Sequence, residues 1–313
     1  MNIGSTNPIA RKNDIMTALV EPIAMQAIHQ IESTNPLFEV FEREPVENSA
    51  EIEEIVLGDA NIEAYDATGA TVDTPRNVQA VARYYNDYTH KVYTTTIYRN
   101  EIRKVALNPE KAPELASKIL ANLTATRDDD VYSIEKQVLV DMKTTYPFLK
   151  ADTIASGTAE EQGEALTLAI RNTIDALIFK NYDYIPWNNN HPTNKIKGRA
   201  YLDRIRIVIP YKIKNKLNVG YLANVYNLEK TELLSKIVTI DTDDGIVYVL
   251  DKLAVFRYPQ TDELLGRDNE EAGCRNEFLH VNQMFGASTL FKFAFIDASA
   301  MYPTTTTTTT TNG

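Results

Sequence analysis

Helical periodicity is longest over residues 110–146. Leu115, Ile119, Leu120 and Leu123, then Val131, Ile134, Val138 and Met142, recur at the spacing of one helix face. Asn108-Pro109 breaks the preceding segment, Pro113 lies in the first turn where a missing N–H costs least, and Pro147 stops the run. Unbroken, this helix is a rod of roughly 55 Å, far longer than the ~11–12 residues of an ordinary globular helix. The alternative is two packed helices meeting at Asp128-Asp129-Asp130.

Ahead of the rod, residues 1–13 are polar and read as an arm. Asp14 can cap a helix carrying Ile15, Leu19, Ile23 and Ile31, interrupted by Pro22. From 37 to 107 the pattern turns to strand. Ile52, Val56, Val92, Ile97 and Val105 stand among Thr and Tyr, and 58–75 is small, acidic and turn-prone, with Asp59, Asp66, Gly69 and Asp73. Partial alternation over 92–98 suits a strand exposed on both faces, hence an extended hairpin. So few large aliphatics cannot bury a core of their own. The segment is either a surface β-subdomain or an arm completed by a neighbouring chain.

Behind the rod, Thr158 and Glu161 have the spacing of a capping box, opening a helix with Leu166, Ala169, Ile170, Ile174, Leu177 and Ile178 on one side. Residues 181–192, with Trp187, Asn188, Asn189, Asn190 and His191, read as a loop. A mixed α/β lobe follows: a strand at 205–209 closed by Pro210, short helices at 219–226 and 229–234, and a strand at 253–258. Between them, strands at 237–240 and 246–250 are joined by a turn at Asp243-Asp244-Gly245. A polar segment, 260–276, leads to a last apolar run through Phe291, Phe293, Phe295 and Ile296. The threonine run 304–311 carries no apolar pattern and is expected to be disordered.

Composition narrows the function. In 313 residues, 43 acids against 32 bases give a formal net charge of -11, with 43% hydrophobic residues. This is an ordinary folded, soluble balance. It argues against a protein that neutralises phosphates over its whole surface, but not against one that encloses nucleic acid. The single cysteine, Cys274, leaves no internal disulfide and fits a reducing compartment. No signal-like or membrane-spanning apolar stretch is present in the sequence.

Candidate chemistry is sparse. His29, His90, His191 and His280 stand singly, without metal-ligand spacing. Asp241-Thr242-Asp243-Asp244-Gly245 resembles a calcium loop, but its glycine falls one place early and Lys252 stands where a bidentate Glu belongs, so a turn is the better reading. Asp128-Asp129-Asp130 reads as a charged helix face. There is no phosphate-cradling glycine loop and no nucleophile elbow, so neither an enzyme nor a cofactor is expected. One basic stretch stands out: Lys195, Lys197, Arg199, Arg204, Arg206, Lys212, Lys214 and Lys216 against the single acid Asp203. It could face phosphates, an acidic surface of another copy such as the Glu42, Glu44, Glu47, Glu51, Glu53 and Glu54 region, or simply solvent along a strand edge.

The order of arm, hairpin, very long helix, mixed α/β lobe and closing strand resembles the major capsid proteins of tailed phages, whose fold is named after phage Hong Kong 97. A nearer resemblance is to the head proteins of small short-tailed picovirinae-type phages of Gram-positive bacteria. It rests on Asn35-Pro36-Leu37, Ile52-Glu53-Glu54-Ile55, Ala64-Tyr65-Asp66, the stretch 93–104, Leu202-Asp203 through Ile209, Val225-Tyr226-Asn227 and Lys236-Ile237-Val238-Thr239-Ile240-Asp241. Some relatives append an immunoglobulin-like domain where this sequence has its threonine run.

The resemblance implies an α+β Hong Kong 97-like fold. Its parts would be an N-terminal arm and helix (1–36), an E-loop β-hairpin (37–107), and a peripheral domain (108–182) with spine helix 110–146. An axial domain (183–275), peripheral closing strands (276–302) and a tail (303–313) would complete it. It implies a podovirus virion shell subunit assembled in the host bacterial cytoplasm as hexameric and pentameric capsomers. Scaffolding and portal proteins would be partners, and double-stranded DNA would be enclosed without sequence-specific binding, with no membrane. Candidate contacts between subunits are Glu51, Glu53, Glu54, Arg76, Arg83, Arg99, Arg204, Arg206, Lys212, Lys214 and Lys216. An encapsulin-like nanocompartment shell, a phage tail or adhesion protein, and an enzyme built on scattered Asp and Tyr are the alternatives.

Overall fold

The computed structural model describes residues 35–46, 51–60, 78–98, 112–217, 226 and 230–302. In chain order these form α1 (Phe38–Phe41), β1 (Ile52–Leu57), β2 (Ala80–Tyr85), β3 (Tyr88–Tyr98), α2 (Ala112–Thr145), β4 (Lys150–Thr153), α3 (Ala159–Ile178), α4 (Pro186–Asn190), β5 (Ile205–Pro210), α5 (Tyr211–Lys214), α6 (Lys230–Ser235), β6 (Ile237–Ile240), β7 (Ile246–Asp251), β8 (Val255–Asn269), β9 (Cys274–Ala287) and β10 (Phe293–Asp297). The expected helix at 14–31 lies outside the described residues, as does the one expected at 219–226 apart from Tyr226. The chain forms two compact units, the first from 1–50, 86–138 and 256–286, the second from 51–85, 139–255 and 287–313.

α2 is one helix of 34 residues. The three aspartates do not break it because two of them are neutralised on the spot. Arg127 pairs with Asp128 at 2.9 Å, and Lys91 with Asp130 at 2.7 Å. The buried stripe is turned one residue from the apolar pattern. Leu123, Arg127, Asp128, Val131, Glu135, Leu139 and Met142 are buried, whereas Ile134 and Val138 are only partly so. Buried charges displaced aliphatics from the centre of the stripe, and hydrophobicity alone cannot show that.

In the first unit, three strands form a sheet of order β3-β9-β8. β3 runs antiparallel to β9 from Tyr88↔Met284 to Tyr98↔Cys274. This corrects two expectations. The strand around 92–98 pairs not within 37–107 but with a strand far along the chain. The polar segment 260–276, expected only to lead to the last apolar run, is the outer half of a long β8–β9 hairpin, turned at Gly273 with φ 62°. Residues 261–263 and 265–272 are exposed, so no alternation of hydropathy marks them.

The second unit holds a five-stranded sheet of order β4-β10-β7-β5-β6. β10 is parallel to β4 and antiparallel to β7, and β5 is antiparallel to β7 and parallel to β6. The strands at 237–240 and 246–251 are therefore not a hairpin: β5 lies between them. β7 is buried at all six positions. Such a strand needs hydrogen-bonding neighbours on both edges and cover on both faces, which one turn partner cannot supply. α3 provides cover on one side. Its Leu166, Ile170, Ile174 and Leu177 share a core with Ile207, Ile209, Val247, Val249 and Ile296. Its capping box forms as expected, with Thr158 Oγ1 accepting from Glu161 N at 3.3 Å and Glu161 Oε2 from Thr158 N at 2.9 Å.

Two further expectations change. A short helix, α4, interrupts the loop at 181–192. The strand expected at 253–258 begins at Val255, after a 3₁₀ turn at Lys252–Ala254 that Asp251 caps, and runs on to Asn269. Residues 276–286 belong to the first unit and β10 to the second.

Gly163 sits inside α3, where alanine would normally gain about 1 kcal/mol of helix propensity. A Cβ there would lie 2.7 Å from the Lys216 carbonyl oxygen. Gly163→Ala is therefore expected to destabilise the second unit by about 1–3 kcal/mol, read as a lowered thermal midpoint by circular dichroism. An unchanged or raised midpoint contradicts the packing described.

Candidate assembly surfaces

In the second unit, β1 and β2 form a two-stranded antiparallel ladder, from Ile52↔Tyr85 to Leu57↔Ala80. Burial alternates along it. Ile52, Glu54 and Val56 turn inward, while Glu51, Glu53, Ile55 and Leu57 turn outward. Ile55 is 56% and Leu57 67% exposed. Inward, Val56 packs on a small cluster of Val81, Ile185, Ile196 and Leu290 beside Trp187. The ladder is also tied by polar bonds. Ser288 Oγ and Tyr85 Oη donate to Glu54 at 2.5 and 3.0 Å, Lys180 donates to Asp59, and Gln79 donates to the Asn194 side chain. Burial first, then the Glu54 carboxylate, pushes the Tyr85 phenol up to about 12. The Lys180 hydrogen bond holds Asp59 below its ordinary value.

The acidic trio named from sequence is thus divided by strand geometry. Glu51 and Glu53 look outward, and Tyr84 Oη donates to Glu53 at 2.5 Å. Glu54 anchors the ladder from within. Arg83, exposed, stands opposite Glu54 in register. Arg76 and Arg99 lie outside the described residues.

The basic stretch is largely engaged within the subunit. Arg204 donates to the buried Asp251 at 2.7 Å, and Lys212 to Asp243 at 2.6 Å. Arg206 donates to the Asp203 and Ile205 carbonyls at 2.7 and 3.0 Å, and Lys216 to the Met301 carbonyl at 3.0 Å. Lys214 lies on α5, half-buried. Asp243 therefore serves a lysine, and Asp244 pairs with Lys143 at 3.3 Å. Lys197 reaches Asp59 at 3.8 Å and lies 5.3 Å from the Tyr182 ring, while Lys195 and Arg199 are exposed. The Arg199 and Arg204 guanidinium groups lie 4.4 and 4.8 Å from the Tyr201 ring. Arg199 also donates to Tyr201 Oη at 2.8 Å, which lowers that phenol.

Sequence reasoning missed two features. The first is an open groove of about 570 Å³ in the second unit, whose lining includes Phe148, Lys150, Tyr182, Tyr184, Asn188 and Lys195. Tyr184 holds a left-handed φ of 60° there, and its carbonyl accepts from Phe293 N at 3.1 Å. Nothing in the spacing of these residues joins 148–150 to 182–195.

The second is a charge cluster in the first unit. Glu135, fully buried, accepts from Asn35 Nδ2 at 2.7 Å and faces Arg257 Nε at 3.8 Å. Arg257 also reaches Glu42 at 3.4 Å and lies 5.0 Å from the Phe38 ring. Arg127 bridges Asp128 and Asp262 at 2.9 and 2.8 Å. A cavity of about 370 Å³ adjoins these two arginines. Burial pushes the Glu135 carboxyl up to about 7, against the opposing pull of Arg257 and Asn35. The partners are separated by as many as 215 residues along the chain.

Because the folded value of Glu135 is raised, its contribution to stability is full below about 4.5 and lost as pH rises through about 7. Stability is expected to fall across that window by on the order of 3 kcal/mol. Glu135→Gln should flatten the dependence. Chemical denaturation at intervals of pH, followed by a probe in the first unit, checks it, and identical pH profiles for both proteins would refute it.

Among the described residues, no three His, Cys, Asp or Glu side chains gather to hold a metal, and no helix is long and apolar enough to cross a membrane. Cys274 is buried. His191 stacks on Trp187 with ring centroids 3.5 Å apart.

Comparison with known proteins follows the same lines. The family model for Phi29-like phage major capsid proteins matches residues 2–296. The major capsid protein of Bacillus phage GA-1 is 22% identical over 301 residues, covering 92% of this chain and 61% of that protein. That of Bacillus phage PZA is 24% identical over 288 residues, covering 88% and 62%. The chain thus spans about three fifths of the length of these relatives. Among solved structures, a capsid chain of Staphylococcus phage Andhra superposes with TM-score 0.67 at 14% identity, covering 82% of each chain. A chain from the head fibre and inner core protein structure of native bacteriophage P68 gives 0.57 at 13%, covering 82% and 83%. A virus-like particle from Pyrococcus furiosus gives 0.51 at 9%, covering 90% and 98%. The fold is α+β and Hong Kong 97-like, as the order of elements suggested.

Proposed function

We propose, for a chain that belongs to the family of Phi29-like phage major capsid proteins, that it is the subunit of a tailed-phage head shell. The family match across nearly the whole chain carries this reading. Copies assemble into hexameric and pentameric capsomers in the bacterial cytoplasm, with scaffolding and portal proteins as partners. The shell encloses double-stranded DNA without reading its sequence, and no catalytic step is required of the subunit. α2 serves as the spine of a peripheral domain, the five-stranded sheet as the core of an axial domain, and the β1–β2 ladder as the E-loop. The ladder's outward row of two acids and two aliphatics supports a role in contact with a neighbouring copy. An acidic chain is compatible with enclosing DNA when packaging is driven from outside rather than by coat charge.

Negative-stain microscopy with light scattering on the purified protein tests the reading. Closed shells, tubes or capsomer rings are expected, and DNA content separates a phage head from a protein-filled compartment. A lasting monomer at high concentration, with and without the phage's scaffold, would sink it.

The two faces of β1 make a sharper prediction. Glu53→Lys is expected to leave the monomer folded yet impair assembly. Glu54→Lys removes the acceptor of Ser288 and Tyr85 and should cost about 1–3 kcal/mol of stability. Thermal unfolding and assembly yield, measured on both variants, distinguish the roles. Equal behaviour of the pair would contradict them.

A further inference from the structure

The ladder and the groove are complementary, and both belong to the second unit. Outward on β1 stand two carboxylates followed by two aliphatics, Glu51, Glu53, Ile55 and Leu57, a row of roughly 20 Å at strand rise. The groove presents two ammonium groups, Lys150 and Lys195, one carboxylate, Asp183, and two exposed aromatic rings, Phe148 at 43% and Tyr182 at 46%, with the Lys197 ammonium 5.3 Å from the Tyr182 ring. Among the described residues neither lysine has a carboxylate within ion-pair distance. The groove keeps a net positive charge of one beside its aromatic rings, opposite in sign to the two carboxylates of the row.

The geometry points to this groove as the seat for the outward face of β1 from a second copy of the chain. Glu51 and Glu53 meet Lys150 and Lys195, and Ile55 and Leu57 cover Phe148 and Tyr182. This inference rests on the shell reading and names the partner surface within it. A copy cannot fill its own groove with that face. Its ladder is held by the opposite face, through Glu54 to Ser288 and through Val56 on the cluster beside Trp187, and residues alternating along a strand point to opposite sides.

The contact is therefore heterologous, one surface against a different surface, which closes into rings or continues as an array. Aromatic rings able to exclude water around the charged pairs are the composition expected at the energetic centre of an interface. The left-handed Tyr184, pinned by Phe293 N, fixes the groove wall, and strained backbone of this kind persists where surrounding structure holds it.

Charge exchange tests the pairing, with wild-type assembly measured first. Lys150→Glu with Lys195→Glu, and separately Glu51→Lys with Glu53→Lys, are each expected to raise the critical concentration for assembly at least tenfold. Their circular dichroism should stay native, and the four substitutions combined should restore assembly. A second arm pairs Leu57→Cys with Tyr182→Cys in a Cys274→Ser background. Oxidation should then link different copies, seen as a ladder of covalent oligomers.

A wild-type chain that never assembles overturns the shell reading and this inference with it. Normal shells from the lysine-reversed variant overturn the groove alone. So does a variant that forms shells yet loses only retained DNA, since the lysines would then face nucleic acid. Should the reversed chains fail to fold, absence of the disulfide between copies is the overturning result.

Discussion

The second unit depends on a strand buried on both faces. β7 has no position open to solvent, so both its edges must be hydrogen-bonded and both its faces covered. β10 and β5 take the two edges, so the chain leaves this sheet after β7, runs through β8 and β9, and returns as β10. α3 lies against one face, with its isoleucines and leucines in contact with Val247 and Val249. β4 is left as the outer neighbour of β10, and the start of β4 and the turn before it form one wall of the groove. The groove is thus a by-product of how the central strand is enclosed.

Charged groups inside both units do positioning work that hydrophobic contacts cannot. Lys292 is 2% exposed, and its ammonium donates to the Ala176 and Phe179 carbonyls and to Asn181 Oδ1 at 3.1, 3.0 and 2.6 Å. A cation there meets the negative end of α3 and satisfies carbonyls the helix leaves open. Burial lowers its pKa to about 8. Truncating either side would leave a buried polar group unpaired, which costs far more than the bond gains. Glu135 plays a comparable part in the first unit, tying Asn35 to α2. Such bonds specify one register and one approach angle, where an aliphatic contact would tolerate several.

The ladder shows the reverse economy. Two strands with so few large aliphatics cannot form a core, and an isolated pair is marginal in water. β1 and β2 persist because the inward face is held by Glu54 and Val56 and the chain just past β1 by Asp59. The other face keeps Ile55 and Leu57 in solvent. A shell subunit has use for such incompleteness, since the stability missing from the monomer becomes the driving force for association.

Local signals in the sequence were sufficient for several elements. The capping box at Thr158, the long helix bounded by prolines and the strand ending at Pro210 all depend on neighbours within a few residues. Sequence order alone also carried the likeness to the capsid fold. Pairing was not legible. β3 joins β9 rather than a nearby strand, β5 separates β6 from β7, and residues 260–276 form a hairpin with no alternation to mark it. The same holds for function. The acidic and basic stretches could be read from composition, but not that Glu54 faces inward, that Arg204 and Lys212 are already paired, or that Lys150 and Lys195 share a groove. Helix periodicity and caps are written in contacts a few residues apart. Strand order, charge pairing and concavity arise from residues tens to hundreds of positions apart, whose meeting depends on burying one common core.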